Sequence, residues 1–384
     1  MSSTVAFVPT ETREISSIAQ TAPASRIGRG PLRVLMVTSD YPIDGRPRTT
    51  HFIKRQAEFL QAAGVDVDVF HFDGSKRFLN YVRAWLRCRR RLANRQYDLI
   101  HAQFGQSGLL AFPKRLPLLV TLRGSDILGI VDDASGRYTF KGRILKVLSR
   151  MVARRADAVI LVSDHMRETI DRMDAVHVIP SGLDLSLFRP IPQAEARAHL
   201  GLSPTKRLVL FVGRPSQARK RYDLAKQAVE ILDQTLPAEL VVAWRVQHVD
   251  IPYYMAACNA LVFTSMQEGS PNVVKEALAC DLPVVSVRVG DVGPRLAGIE
   301  GCELCTDDRP ETIAAALERV LRRGGRVNGR PTVQHLDETL LTRKVIGIYE
   351  SILDRQPVAA PPAAQRAPGE PAQRAPAAQG RIAT

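Results

Sequence analysis

The stretch VIPSGLDLSLFRPIPQAEARAHLGLSPTKRLVLFV, residues 178–212, decides how this chain is divided. It opens on the end of one regular series. Pro180-Ser181-Gly182-Leu183-Asp184 is turn chemistry: proline presets φ, glycine is permissive, and Ser and Asp bond their own backbone. Phe188, Pro190 and Pro192 follow, and then RLVLFV (Arg207 to Val212) begins a second series. Toward the N-terminus, short apolar runs lie at 33–38 (RVLMVT), 99–102, 118–122 and 158–162, separated by helical or polar stretches. Thr49 or Thr50 can cap a helix that runs to Ala63, with Phe52, Ile53 and Leu60 on one side and Gly64 as its stop. Residues 65–70 alternate Val and Asp, which suits a strand with one wet face or an edge strand. Toward the C-terminus, helices are expected near 221–234, 251–258, 271–280 and 309–322, and strands near 239–244, 260–264 and 283–287. Asp308 with Glu311 reads as a capping box. Strand and helix in this rhythm predict α/β architecture, parallel sheets covered by helices on both faces.

The expected organisation is therefore a tail over 1–30, a first Rossmann-like domain over 31–190, a second over 191–335, a last helix over 336–355 and a tail over 356–384. The segment around 184–204 reads as the linker. Both tails are poor in residues that could bury a core, and they read as disordered. Two doubly wound domains leave a cleft between the carboxyl ends of their strands, where ligands bind in such sheets.

Composition narrows the classes. The chain has 384 residues, 45% hydrophobic and 24% charged, as soluble globular proteins do. No run reaches the roughly 18 apolar residues needed to span a bilayer. The first residues include Glu11, Arg13 and Glu14 without an apolar stretch, so no secretory signal is read and a cytoplasmic location is expected. Cys302 and Cys305 form one Cys-x-x-Cys pair without a second, and they read as small residues in or near a strand. Formal net charge is +14, concentrated at 76–95 and 141–155. Those stretches read either as core-packed helices with solvated faces or as a surface resting on anionic lipid, where each nearby cation is worth about 1 kcal/mol. The second is favoured in part. Aromatic residues are only 6% and no recognition motif accompanies the charge, so nucleic acid is not an expected partner.

The strongest chemical signal is Glu268-Gly-Ser-Pro-Asn-Val-Val-Lys-Glu276, directly after the strand at 261–264. Ser270 reads as an N-cap and Pro271 as the first helical residue. Gly269 lets the backbone approach a ligand closely. The open amides of the helix start suit a pyrophosphate. Glu276 lies roughly 7 Å along the helix, within reach of a ribose. The same string also reads as a capped surface helix with two incidental acids, and local pattern does not separate the two. Gly213-Arg214 ends the first strand of the second domain, with Lys220 six positions on. Two cations there would neutralise a diphosphate leaving group. Alone, with Arg219 and Arg221 flanking, they read equally as a solvated basic loop.

Taken together, the spacing of the two glutamates, Gly-Arg followed by Lys, and Pro-Ser-Gly-Leu-Asp with Phe188 and Pro190 resemble the retaining family 4 glycosyltransferases of the GT-B fold. The likeness runs from about Pro31 to Leu353. The phrase from Tyr253 to Pro283 resembles the branch containing teichuronic acid and exopolysaccharide enzymes. The resemblance implies that Arg214 and Lys220 bind the donor diphosphate and that Glu268 contacts the donor sugar. Backbone near Gly269, Ser270, Pro271, Asn272 and Val273 would assist, and Glu276 would bind ribose. It also implies an interdomain cleft, a final helix crossing back to the first domain, and front-face displacement without a protein-bound metal. The implied partners are a UDP- or GDP-sugar and a glycan or lipid-linked acceptor. Departures from the family pattern are Arg123-Gly124-Ser125-Asp126 in place of His-Gly-x-Asp, a lone Gly45 in the first loop, and a shortened 240–253 region. Arg123, Asp126 and Gly45 join the candidate substrate contacts, and so does His101 at a strand end. A sugar-nucleotide epimerase and a catalytically silent nucleotide-sugar-binding subunit are the competing readings; the two glutamates with Arg214 and Lys220 speak against the first.

Overall fold

A computed structural model describes residues 30–42, 51–74, 78–132, 135, 137–171 and 174–355. Gly45, the cap expected at Thr49 or Thr50, Lys76, Arg77 and the two tails beyond these bounds lie outside the described residues. The first domain carries β1 (Arg33–Thr38), α1 (His51–Ala62), β2 (Asp66–His71), α2 (Phe78–Asn94), β3 (Leu99–Gln103), β4 (Leu118–Leu122), α3 (Ser125–Leu128), α4 (Phe140–Arg155), β5 (Ala158–Leu161) and β6 (Val176–Val178). The second carries α5 (Gln193–Leu200), β7 (Leu208–Val212), α6 (Tyr222–Asp233), β8 (Glu239–Ala243), α7 (Ile251–Ala257), β9 (Ala260–Phe263), α8 (Asn272–Ala279), β10 (Val284–Ser286), α9 (Val292–Leu296), β11 (Glu303–Leu304), α10 (Pro310–Arg323) and α11 (Arg330–Val333). Helix α12 (Glu338–Asp354) closes the described chain.

Both sheets are parallel. The first has the order β2-β1-β3-β4-β5-β6 and the second β11-β10-β9-β7-β8. The strand order reverses between β1 and β3 in one and between β7 and β9 in the other. A reversal separates the loops that leave the two strands and opens a crevice at their carboxyl ends. In the second domain those loops are the ones that carry Arg214 with Lys220 and Glu268. The Val/Asp alternation belongs to an edge strand, β2, whose Asp68 accepts two bonds from Arg91 of α2, at 2.8 and 2.5 Å.

The first sheet is buried on both faces. Leu35 and Val37 pack with α2 and α4 on one side; Val34 and Met36 pack with α1 and α12 on the other. Helix α12 thus crosses from the second domain onto the first, burying Leu341, Val345, Tyr349 and Ile352. The two interdomain connections run side by side: Leu183 N donates to Leu336 O at 2.8 Å and Glu338 N to Leu183 O at 2.9 Å.

Two local expectations are corrected. The segment 184–204 is not only linker, because it holds α5. Buried Arg197 ties this helix to the second domain through the carbonyls of Ala257, Ser203, Pro204 and Lys206. Asp308 does not cap α10: the cap position is Arg309, without a side-chain bond, and Asp308 pairs with Arg221 instead. In the basic helices, much of the apolar surface faces outward. Leu79, Val82 and Leu86 on α2, and Phe140, Ile144 and Val147 on α4, are exposed.

Candidate active site

The site is assembled by hydrogen bonds between the two switch-point loops of the second domain. After β7 the chain makes a 3-10 turn over Ala218–Lys220, and Arg221 takes a left-handed conformation, φ 50°. The loop after β9 is fastened to this turn. Met266 N donates to Arg219 O at 3.0 Å, and Thr264 Oγ1 donates to Lys220 O at 2.9 Å. This brings Lys220 Nζ to 2.8 Å and an Arg219 guanidinium nitrogen to 2.5 Å from Glu268 Oε1. Burial pushes the Glu268 carboxyl up, but Lys220 and Arg219 outweigh it and hold it below the usual carboxylate range. Arg214 stands at the end of β7, its Nε donating to Ser216 Oγ at 2.7 Å. Arg219, read from sequence as a flanking solvated charge, is therefore part of the site. The bonds from Met266 and Thr264 draw Glu268 between Arg219 and Lys220, and that long-range fastening was not legible beforehand.

Helix α8 begins immediately beyond Glu268. Its cap position is Pro271 and no side chain caps it, which leaves its first amides without a side-chain acceptor. Ser270 is not the cap expected from sequence; its hydroxyl donates to Asp291 at 2.9 Å. Pro271 is correspondingly one position earlier than expected, and Asn272 and Val273 form the first turn. Glu276 is nearly buried, and its Oε1 lies 3.9 Å from His248 Nε2. His248 stacks on His51 of the first domain, with ring centroids 4.8 Å apart. Both histidines escaped the sequence reading, because neither belongs to a motif and only the fold brings them to Glu276. In the short 240–253 region, Arg245 lies over the Trp244 ring at 4.4 Å.

The first domain meets this site through the loop after β4. A Cβ on Gly269 would lie 2.8 Å from the Arg123 carbonyl and 3.4 Å from the Gly124 Cα. Only a residue without a side chain allows the two domains to touch so closely there. Behind it, Gly290 has φ +53°, and a Cβ on it would meet the Glu268 carbonyl at 2.9 Å.

The first-domain candidates are structural in their contacts. Asp126 is fully buried and accepts from the amides of Gly105, Arg123 and Gly124, which shapes the loop from below. Its side chain is committed there and does not face the cleft. His101 is fully buried as well: Nδ1 meets Tyr349 Oη at 2.7 Å and Nε2 meets Thr121 Oγ1 at 2.8 Å. Burial, aided by Arg123, lowers it to about 3, so the ring is neutral. Its contacts bind the crossing helix to the sheet; the expectation that a strand-end histidine opens on the cleft fails because α12 covers it. Arg123 bonds Gln103 Oε1, Gln56 Oε1 and Ser181 Oγ and lies over Phe52. Among the described residues no group of three or more His, Cys, Asp or Glu side chains is placed to hold a metal ion. No described helix is long and apolar enough to cross a membrane.

Comparison with known proteins bears on the family and the fold. Residues 28–182 match a model described as a glycosyl transferase 4-like domain, and residues 244–323 match one described as glycosyl transferases group 1. A teichuronic acid biosynthesis glycosyltransferase of Bacillus subtilis is 26% identical, over 75% of this chain and 89% of its own length. A D-inositol 3-phosphate glycosyltransferase of Frankia alni is 28% identical over 59% of this chain and 66% of its own. Among solved structures, sucrose-phosphate synthase from Thermosynechococcus elongatus superposes with a TM-score of 0.70 at 21% identity, covering 85% of this chain and 100% of that one. Anabaena HepE in complex with UDP superposes at 0.61 and 18%, covering 83% and 100%.

Proposed function

The chain belongs to the family 4 glycosyltransferases, with the GT-B fold, and on that premise we propose that it moves a sugar from a nucleoside-diphosphate sugar to a glycan or lipid-linked acceptor, with retention of anomeric configuration. The observation that carries this is the convergence of Lys220 and Arg219 on Glu268 beside the uncapped start of α8. A diphosphate placed there meets the helix amides of Asn272 and Val273 and the cations Arg214 and Lys220. Fixed positive charge is then in position where negative charge develops on the leaving phosphate. Glu276, further along α8, takes the ribose hydroxyls, and Glu268 takes hydroxyls of the sugar. Because two cations hold Glu268 ionised and weakly basic, it is a poor general base for a displacement from the far face. That supports retention, with a leaving phosphate oxygen accepting the acceptor proton. The same cations supply the charge a metal would, so transfer should survive chelation by EDTA. UDP, the nucleotide held by HepE, is the first donor base to try.

The test is NMR of products formed from UDP-, GDP- and ADP-sugars with lipid extract as acceptor. An α-linked product from an α-configured donor supports the reading; an inverted product contradicts retention. The second reading is a silent nucleotide-sugar-binding subunit. It is favoured by Arg123, whose donors are committed to protein acceptors. Under it, Glu268→Ala would leave the pathway's glycan product unchanged.

The acceptor side is supported by the outward stripes of α2 and α4. Leu79, Val82 and Leu86, and Phe140, Ile144 and Val147, recur at helical spacing. Arg83, Arg87 and Arg90, with Lys141 and Arg143, are exposed around them. Both helices pack on one face of the first sheet and start at the carboxyl ends of its strands, the cleft side. An apolar stripe with flanking cations suits a surface of anionic lipid, here on the cytoplasmic side of a membrane. Flotation with phosphatidylglycerol vesicles should be strong at low salt and weak at high salt. No flotation at low salt contradicts the membrane assignment.

A further inference from the structure

Lys275 stands beside Glu276 on α8, takes no part in the chemistry assigned to that helix, and is fully buried. A buried ammonium is costly unless hydrogen-bonded and balanced; methionine would fill similar volume without that cost. Its Nζ donates to the Ser181 carbonyl at 2.8 Å, in the peptide that leads out of the first domain. Successive residues of a helix are turned by about 100°. Glu276 accordingly faces His248 while Lys275 faces the hinge.

The hinge peptide is gripped from several elements. Arg123, beyond β4, donates to Ser181 Oγ at 2.9 Å. Arg55 of α1 donates to Gly182 O at 2.6 Å and to Glu338 Oε2, at the start of α12, at 3.1 Å. A Cβ on Gly182 would lie 2.4 Å from Glu338 Oε2, so the turn is packed to its limit. Within this set, Lys275 is the member contributed by the donor-side domain.

We propose that Lys275 is a positioning residue, whose bond to the Ser181 carbonyl sets the start of α8 against the hinge so that the Asn272 and Val273 amides and the Glu276 carboxylate meet the donor in register. The proposal rests on the reading of α8 as the donor site. It explains why a charge is kept inside the helix that carries the motif: an apolar side chain would pack there but would specify neither direction nor distance to the hinge.

A second property makes the role measurable. Burial lowers Lys275 to about 7; Arg295 and Arg55 push the same way, and Asp291 and Glu276 oppose them. The charged groups that face it are Glu276 on its own helix, Asp291 at the cap of α9 paired at 2.5 Å with Arg295 within α9, Arg55 from α1 and Glu338 from α12. The protonated form makes the stronger bond to a carbonyl and attracts a diphosphate. Affinity for donor nucleotide is therefore highest below about pH 7 and falls as the ammonium is lost above it.

The experiment is calorimetric titration with UDP, GDP and ADP at about pH 6 and about pH 8, on the wild type, Lys275→Met and Lys275→Arg. Ionisation of the nucleotide phosphate is common to all three proteins and cancels in the ratio of variant to wild type. Lys275→Met is expected to fold and to bind about tenfold more weakly at the lower pH, a loss of about 1.4 kcal/mol, with the gap shrinking to about twofold at the higher. Lys275→Arg, which stays charged, is expected to match the wild type at the lower pH and to bind more tightly than it at the higher. Wild-type affinity in folded Lys275→Met, or a gap of equal size at both pH values, overturns the proposal. Should Lys275→Met not fold, a Lys275→Arg protein that retains the wild-type pH dependence overturns it. A wild type that binds none of the three nucleotides overturns the donor-site reading first, and the proposal with it.

Discussion

Glu268→Gln removes one charge and almost no volume from the centre of the site. In the wild type the carboxylate, 13% exposed, holds Lys220 at 2.8 Å and Arg219 at 2.5 Å, themselves 17% and 24% exposed. Removing one partner from a buried pair leaves the others uncompensated and costs about 3–5 kcal/mol. Glutamine keeps an accepting oxygen, so the lower end, about 3 kcal/mol, is expected. At 2–4 °C per kcal/mol that lowers Tm by about 6–12 °C. A diphosphate bound beside Lys220 brings replacement negative charge. UDP should consequently bind the variant as well as the wild type, or up to about tenfold better. Sugar transfer should nevertheless fall by about 100-fold or more, as when a group that contacts the transition state is removed. Calorimetry with UDP and a transfer assay on the same preparation separate the two effects. Loss of UDP affinity in step with transfer, or transfer at wild-type rate, would refute the assignment of Glu268 to the sugar and of Lys220 to the phosphate. The wild-type pair also has a pH signature. The folded pKa of Glu268 is depressed, so its contribution to stability is present above the unfolded value of about 4.5 and is lost as pH falls through the folded one.

His101 should make the first domain acid-sensitive. Its folded pKa, about 3, lies below the unfolded value of about 6.5, so the unfolded chain binds more protons between them and stability falls as pH drops through that window. In His101→Gln, the slope of unfolding free energy against pH between about 4 and 6 should decrease by up to about 1.4 kcal/mol per pH unit. An unchanged slope, measured by denaturant titration, would mean that the ring is protonated or exposed in the fold. Gly269→Ala tests the domain contact: its methyl would stand 2.8 Å from the Arg123 carbonyl and 3.2 Å from Val162 Cγ2. At about 1–3 kcal/mol for such overpacking, transfer should drop by about tenfold or more. Small-angle scattering should show a wider molecule with the circular dichroism unchanged; a variant as compact and active as wild type would place the working cleft elsewhere.

The sheets were legible because the central strands are short, mainly apolar runs between helical or polar stretches, as strands buried on both faces tend to be. The boundary at 178–212 was legible for the opposite reason, a dense cluster of Pro, Gly, Ser and Asp. Helix α5 was hidden inside that cluster, because its alanine-rich sequence has little periodicity and its anchor is Arg197 bonding backbone carbonyls. The donor loop could be read from Glu268 to Glu276, since strand, glycine and helix start are local. The caps could not: Ser270 and Asp308 have capping chemistry, but Asp291 and Arg221 reach them first from distant parts of the chain. His101 was drawn into the site by its reading as a strand-end residue and Asp126 by the family resemblance of the 123–126 string, and only α12 and the loop at 123–126 reveal that both face inward. His51, His248, Arg219 and Lys275 depend on long-range closure and carried no sequence signal of their own beyond residue type.

The central claim is that α8 is the site of a nucleotide-sugar donor, with Glu276 on its ribose. The most direct test is thermal stabilisation by UDP-, GDP- and ADP-sugars, comparing the wild type with Glu276→Ala. Binding to the folded state raises its stability by mass action, by about 2.7 kcal/mol at one hundred times Kd. The expected result is a shift with one nucleotide, measured for each protein from its own unliganded Tm, that disappears in Glu276→Ala. An equal shift in both proteins would contradict the donor site placed here.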